Sequence, residues 1–174
     1  MTDHKGLIIV NTGHGKGKTT AALGLLFRAW GRKHRVVMYQ FIKHSTGNWG
    51  EIRAAREIGV EIIPMGDGFT WASHDVDKTI EMATRCWDTA RAKLLSGDYD
   101  MVILDERTFA FKYGWLDLQE VIGALKQRPP HVTVVITGRD APEALIEAAD
   151  LVSEIRKIKH PYDAGVKAQP GIEF

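Results

Sequence analysis

The run Asn11-Thr-Gly-His-Gly-Lys-Gly-Lys-Thr-Thr20 gathers, in one short stretch, the groups that hold a polyphosphate. Gly13, Gly15 and Gly17 can take the positive-φ conformations that turn successive backbone N–H groups inward. Lys18 supplies a cation for phosphate oxygens and Thr19 a hydroxyl for Mg²⁺, while Lys16 adds a further positive charge. The Walker A pattern asks for Gly, four residues, then Gly-Lys-[Ser/Thr]. Gly17, Lys18 and Thr19 satisfy it, but Thr12 stands at its first position. An apolar strand precedes the run and a helix rich in Ala and Leu follows, so the helix adds its own unpaired N–H groups and positive dipole end. The expected phosphate contacts are Thr12, Gly13, His14, Gly15, Lys16, Gly17, Lys18, Thr19 and Thr20. The plain alternative is a glycine-rich turn with no ligand. The Lys-Thr pair between strand and helix weighs against it.

A nucleotide site of this kind needs a second half, a carboxylate at the end of a buried strand. Asp105 and Glu106 follow the apolar run Asp100–Leu104, where either can meet a Mg²⁺ held by Thr19. Alone, such acids are often just solvated strand ends; beside a phosphate loop they complete a metal–nucleotide site. MgATP or MgGTP binding follows from this pairing, but no reaction does. No Ser/His/Asp or Cys/His motif offers a nucleophile, and the seven histidines lack a metal-ligand spacing such as HExxH. They read as surface or structural residues. Arg139, after the fifth strand, and Lys167 and Gln169 in the tail are weaker candidates for contacts with phosphate or substrate.

The elements that must position these groups alternate between apolar β-rich runs and helical patterns. That alternation predicts an α/β fold with a mostly parallel sheet and helices on both faces. Strands are expected at Gly6–Asn11, Arg35–Ile42, Val60–Met65, Asp100–Leu104 and His131–Thr137, with a more polar one at Leu151–Ile158 forming the sheet edge. Several are apolar at consecutive positions, as strands covered on both faces should be. A long helix from about His74 to Leu95 carries one stripe, Val76, Ile80, Ala83, Trp87, Ala90 and Leu94. A shorter helix begins at Asp117, where Glu120 suggests a capping box, and Pro129-Pro130 stops it. Asp140 is expected to cap another over Ala141–Ala149. Trp30, Trp49, Trp87 and Trp115 read as packing residues.

With 23 Lys+Arg against 22 Asp+Glu, the chain has too little excess charge to suggest a nucleic-acid or membrane surface. Its 44% hydrophobic and 26% charged residues describe an ordinary folded domain, and 174 residues fit one such domain. Cys86 is the only cysteine, which excludes an internal disulfide and reads as a small buried apolar residue. No apolar run is long enough to span a membrane, and the N-terminus lacks the zones of a signal peptide, so a cytoplasmic location is expected.

The phosphate-loop sequence TGHGKGKTTAA resembles that of the P-loop corrinoid (cob(I)alamin) adenosyltransferases, in which TGNGKGKTTAA is typical. The resemblance continues through Gln40-Phe-Ile-Lys43, Gly68-Phe-Thr-Trp71, Leu104-Asp-Glu106, Tyr113-Gly-Trp-Leu116 and Ile136-Thr-Gly-Arg139, then the ending Lys159 to Phe174. His14 stands where the family usually has Asn, and Arg107 where Leu is more usual. Five residues precede the first strand, whereas some members carry an extension that helps close the site.

The resemblance implies a RecA-like P-loop NTPase fold. It implies transfer of the 5′-deoxyadenosyl group of ATP to the Co(I) of a reduced corrinoid, with release of triphosphate, in cobalamin biosynthesis or salvage. ATP and the corrinoid are then substrates, and Mg²⁺ or Mn²⁺ the metal. ATP would lie reversed, its γ-phosphate in the loop and C5′ outward. Lys18 would stabilise the leaving triphosphate, with Thr19 and Glu106 as metal ligands and Asp105 as second choice. Phe69 and Trp71 would wedge beneath the corrin and displace its lower axial ligand, easing reduction of Co(II). An electron-donating flavoprotein and a homodimer are implied as well. Two other readings compete: a small P-loop kinase or ATPase, and a non-enzymatic RecA-like nucleotide-binding module. Triphosphate, ADP or no product separates the three.

Overall fold

The computed structural model describes residues 5–44, 46–66 and 76–174. Six strands form one sheet: β1 (Ile8–Thr12), β2 (Val36–His44), β3 (Glu61–Gly66), β4 (Met101–Asp105), β5 (Thr133–Thr137) and β6 (Leu151–Glu154). Their spatial order is β3-β2-β4-β5-β1-β6, and every neighbouring pair is parallel. Among the described residues six helices lie between them: α1 (Lys18–Gly31), α2 (Gly50–Ile58), α3 (Val76–Ser96), α4 (Thr108–Lys112), α5 (Leu118–Gln127) and α6 (Glu143–Ala148). A 3₁₀ turn at Pro161–Ala164 follows in the tail.

Consecutive apolar residues in the strands feed two separate cores. Val10, Val37, Tyr39, Val102, Leu104, Val134 and Ile136 face one side and pack with Trp87, Ala90 and Leu94 of α3 and Val121 and Leu125 of α5. Their alternate neighbours Ile9, Met38, Ile103 and Val135 face the other side against Ala22, Leu26 and Ala29 of α1. This is the two-faced burial that a parallel sheet requires. The polar strand β6 is solvent-exposed along its whole length and lies at the edge, as its composition predicted.

Several local expectations need correction. The capping box is only half formed: Asp117 accepts from Gln119 N–H, but Glu120 accepts instead from Trp87 Nε1 at 3.2 Å. A buried indole N–H needs a partner, and that need outcompetes the local cap. Asp140 caps nothing; the N-cap of α6 is Pro142, and Asp140 pairs with His14 and Lys112. In the stripe of α3, Trp87, Ala90 and Leu94 are buried whereas Ile80 is exposed; the expected start at His74 lies outside the described residues. Helix α2 was not anticipated, because only Ile52 and Ala55 are buried on an otherwise charged segment. Among the described residues no helix is long and apolar enough to cross a membrane.

Cys86 is buried as expected, and burial raises its thiol to about 12. Thiolate is the reactive form, so native protein should react with a thiol reagent at pH 8 on the order of a thousandfold more slowly than denatured protein. Rapid native labelling, followed by mass spectrometry, would show that α3 opens readily.

Candidate active site

Strand order decides where the site forms. With β5 inserted between β1 and β4, the carboxyl ends of β1, β5, β4 and β2 stand side by side. These ends carry the phosphate loop, Thr137 to Arg139, Asp105-Glu106 and Gln40 to Lys43. In parallel α/β sheets, ligands bind at this edge.

In the loop, Gly13 has φ 97° and Gly17 φ 126°, conformations that favour glycine. Gly15 is glycine for another reason. A Cβ there would sit 2.7 Å from the carbonyl oxygens of Ile155 and Arg156, in the segment after β6, and Gly15 N–H donates to Ile155 O. Thr12, in place of the first Walker glycine, ends β1 and accepts from Ala141 N–H through its hydroxyl. The N-terminus of α1 has no side-chain cap, which leaves its first N–H groups for a ligand. His14 points to Asp140 at 2.9 Å, while Lys16 and Thr20 are exposed on the rim.

Lys18 is buried and donates to the carbonyls of Gly13 and Gly15, both at 2.8 Å, so its ammonium spans the mouth of the loop. Burial first, and the positive charge of Arg139 second, draw it below the ordinary lysine range. Thr19 Oγ1 donates to Asp105 Oδ1 at 2.9 Å, which joins the loop to the acidic strand end. The same carboxylate accepts from Thr137 at 2.6 Å and from Gln40 at 3.4 Å. Gln40 also donates to Glu51, which pairs with Lys43. These partners, from β2, β5 and α2, were not anticipated.

Burial raises the Asp105 carboxyl above its usual range, against the pull of the Thr137 and Thr19 hydrogen bonds. Burial and then the neighbouring Asp105 charge raise Glu106 as well. Glu106 sits at φ 61°, its N–H held by Thr137 Oγ1 at 2.9 Å. That left-handed conformation is uncommon for a non-glycine residue and recurs at functional sites.

These groups line a cleft of about 960 Å³ that contains Lys18, Thr19, Asp105, Glu106 and Arg139. Its outer wall is the end of the chain, Gly171 to Phe174, where Glu173 lies 3.8 Å from Lys16. Lys167 and Gln169 are not among the lining residues; the tail's last residues take that place. Trp49, read as packing, lines the cleft with Lys43 over its ring at 4.6 Å. A small apolar cavity adjoins the cleft and shares Ile42 and Glu106 with it; Trp115, also read as packing, lines this cavity. Phe69 and Trp71 lie outside the described residues.

The donors near Thr19 suit a hard divalent cation. They are all oxygens: a hydroxyl, two carboxylates, and the buried Gln40 Oε1, which has no hydrogen-bond partner among the described residues. No cluster of three or more His, Cys, Asp or Glu occurs among the described residues. A Mg²⁺ site that shares its ion with substrate phosphates uses only one or two carboxylates.

A solved flagellar accessory protein, FlaH from Methanocaldococcus jannaschii, is similar in fold, with a TM-score of 0.51 at 10% identity over 87% of this chain and 71% of that one. The corrinoid adenosyltransferase of Escherichia coli K12 is 45% identical over 174 residues, 99% of this chain and 87% of that protein. One from Sinorhizobium sp is 43% identical over 176 residues, 99% and 82% of the two chains. The corrinoid adenosyltransferase CobA of Salmonella typhimurium is 45% identical over 99% of this chain and 87% of its own length. Residues 4–174, which take in the phosphate loop, the acidic strand end and the tail, match the model of the ATP:corrinoid adenosyltransferase BtuR/CobO/CobP family, and the chain belongs to that family.

Proposed function

We propose that this enzyme transfers the 5′-deoxyadenosyl group of ATP to the Co(I) of a reduced corrinoid and releases triphosphate. The observation that carries the reading is the junction at Thr19: one hydrogen bond joins the phosphate loop to the acidic strand end, next to the buried Lys18 and beside an apolar cavity that shares Glu106 with the cleft.

Co(I) is itself a strong nucleophile, so the protein needs no nucleophilic side chain. The electron pair on cobalt forms the Co–C5′ bond while the C5′–O bond breaks and its electrons leave on the triphosphate. The chain's work is orientation and charge stabilisation. The loop N–H groups and Lys18 hold the triphosphate, with Lys16 adding charge from the rim. Thr19 and Glu106 would hold Mg²⁺, with Asp105 fixing the Thr19 hydroxyl or joining as a ligand. The chemistry that ion supplies when bound is neutralisation of phosphate charge. Arg139 faces the same cleft.

In this reading ATP lies with its γ-phosphate in the loop and C5′ toward the corrin. Phe69 and Trp71 meet the lower face of the ring. The protein works as a single cytoplasmic domain, as a homodimer, with a flavoprotein as electron donor. Protein, MgATP and chemically prereduced cobalamin should yield adenosylcobalamin with one equivalent of triphosphate. ADP as the main product, with no cobalt–carbon bond formed, would falsify the assignment.

A further inference from the structure

Arg107 is fully buried at the turn between β4 and α4. Its guanidinium lies 4.4 Å from the ring centroid of Phe41, 4.7 Å from Trp87 and 5.7 Å from Phe111. None of its three side-chain nitrogens has a hydrogen-bond partner among the described residues. The acid on the facing helix, Glu120, is already engaged by Trp87 Nε1 and Arg91. The neighbouring Glu106 faces the cleft and the cavity. Aromatic faces return part of the cost of burying a cation, and a bound anion would return the rest.

The apolar cavity gives such an anion its approach. Phe41 lines the cavity and also packs against the guanidinium, which is not itself among the lining residues, so the Phe41 ring stands between the two. The cavity holds about 30 Å³, room for a carboxylate or one water but not for a macrocycle. It opens beside Ile42 and Glu106 on the nucleotide cleft, where a second substrate must approach. A corrin ring bears acetate and propionate arms on its rim, present as free acids or as amides.

We propose that Arg107 receives one such arm as a free carboxylate, so that the enzyme prefers corrinoids that are not fully amidated. This rests on the corrinoid reading above. A guanidinium offers only donors, and a carboxylate only acceptors. A carboxamide would bring N–H donors against those of Arg107 and leave the charge uncompensated. In entering, the carboxylate turns the Phe41 side chain aside.

The test compares wild type with Arg107→Met on two prereduced corrinoids, cobyrinic acid a,c-diamide, which keeps free carboxylates, and cobinamide, which has none. Binding of each Co(II) form is followed in parallel by absorption titration, and melting temperature is recorded. Wild type should favour the acid corrinoid, and Arg107→Met should lower its kcat/KM and affinity about 10- to 100-fold, the scale of a hydrogen bond to a charged group. The values for cobinamide should stay within about threefold, and the melting temperature should hold or rise once the uncompensated charge is gone. Equal losses on both corrinoids, or a lowered melting temperature with no change in preference, would overturn the proposal and leave Arg107 a packing residue. No adenosylation of either corrinoid by the wild type is a separate failure, which sinks the corrinoid reading and this inference with it.

Discussion

Lys18→Ala should leave a folded protein whose kcat with saturating MgATP falls on the order of a hundredfold to a thousandfold. The Lys18 ammonium bridges the Gly13 and Gly15 carbonyls at the mouth of the loop. A preorganised donor aimed at developing charge commonly contributes ~3–4 kcal/mol to the transition state. The leaving triphosphate gains negative charge as the C5′–O bond breaks, and Lys18 is the buried cation of the loop. Folding should be little affected, because the structure holds this ammonium at a cost. Its pKa is lowered, so burial disfavours the charged form at every pH below that value, and alanine removes the penalty along with two hydrogen bonds. Circular dichroism and melting temperature would check the fold beside kcat. Turnover near that of the wild type would show that Lys18 does not stabilise the leaving group.

Glu106→Gln is expected to cut activity about a hundredfold at limiting Mg²⁺ and yet to stabilise the ligand-free protein at neutral pH. Both effects come from one cause. Burial and the adjacent Asp105 charge raise the folded-state pKa of Glu106 above its unfolded value. A group raised in this way contributes stability that is fully present below the unfolded pKa and lost as pH rises through the folded one. As pH rises above the ordinary glutamate range the wild type therefore carries a growing cost from this raised carboxyl, and glutamine relieves it. The gain in melting temperature should close as pH falls below the ordinary glutamate range, ~4.3. Ligand-linked stability moves the other way. A ligand at a hundred times its Kd adds about 2.7 kcal/mol to the wild type, and the variant should lose most of that gain at the same MgATP concentration. An unchanged MgATP-induced shift in melting temperature would remove Glu106 from the metal site and leave Asp105 as the candidate.

What could be read along the chain is what its chemistry places on contiguous residues. A phosphate loop must alternate glycine with its lysine and hydroxyl within a single turn, so Gly13 to Thr19 announces itself. A buried parallel strand must be apolar on both faces, so the runs ending at Asn11, Leu104 and Thr137 stand out, and Asp105 and Glu106 are conspicuous where an apolar run stops. The more polar run Leu151–Ile158 likewise marks an edge strand, which forms over Leu151–Glu154.

Tertiary structure decided whatever depends on residues distant in sequence. Asp105 is held by Thr19, Thr137 and Gln40 because strand order brings β4 between β2 and β5, and no local pattern encodes that order. Gly15 is glycine because Ile155 and Arg156 pass beneath it, and the cleft is walled by residues 171–174 because the tail folds back across the sheet edge. Local signals failed where a distant group competed for the same side chain. Glu120 left the capping box for the Trp87 indole, and Asp140 left its helix for His14 and Lys112. Arg107 is the sharpest case: in the chain it is a charged residue after a strand, notable only for standing where Leu is more usual. Only the packing of Phe41, Trp87 and Phe111 around it makes it a buried cation with no partner of its own among the described residues.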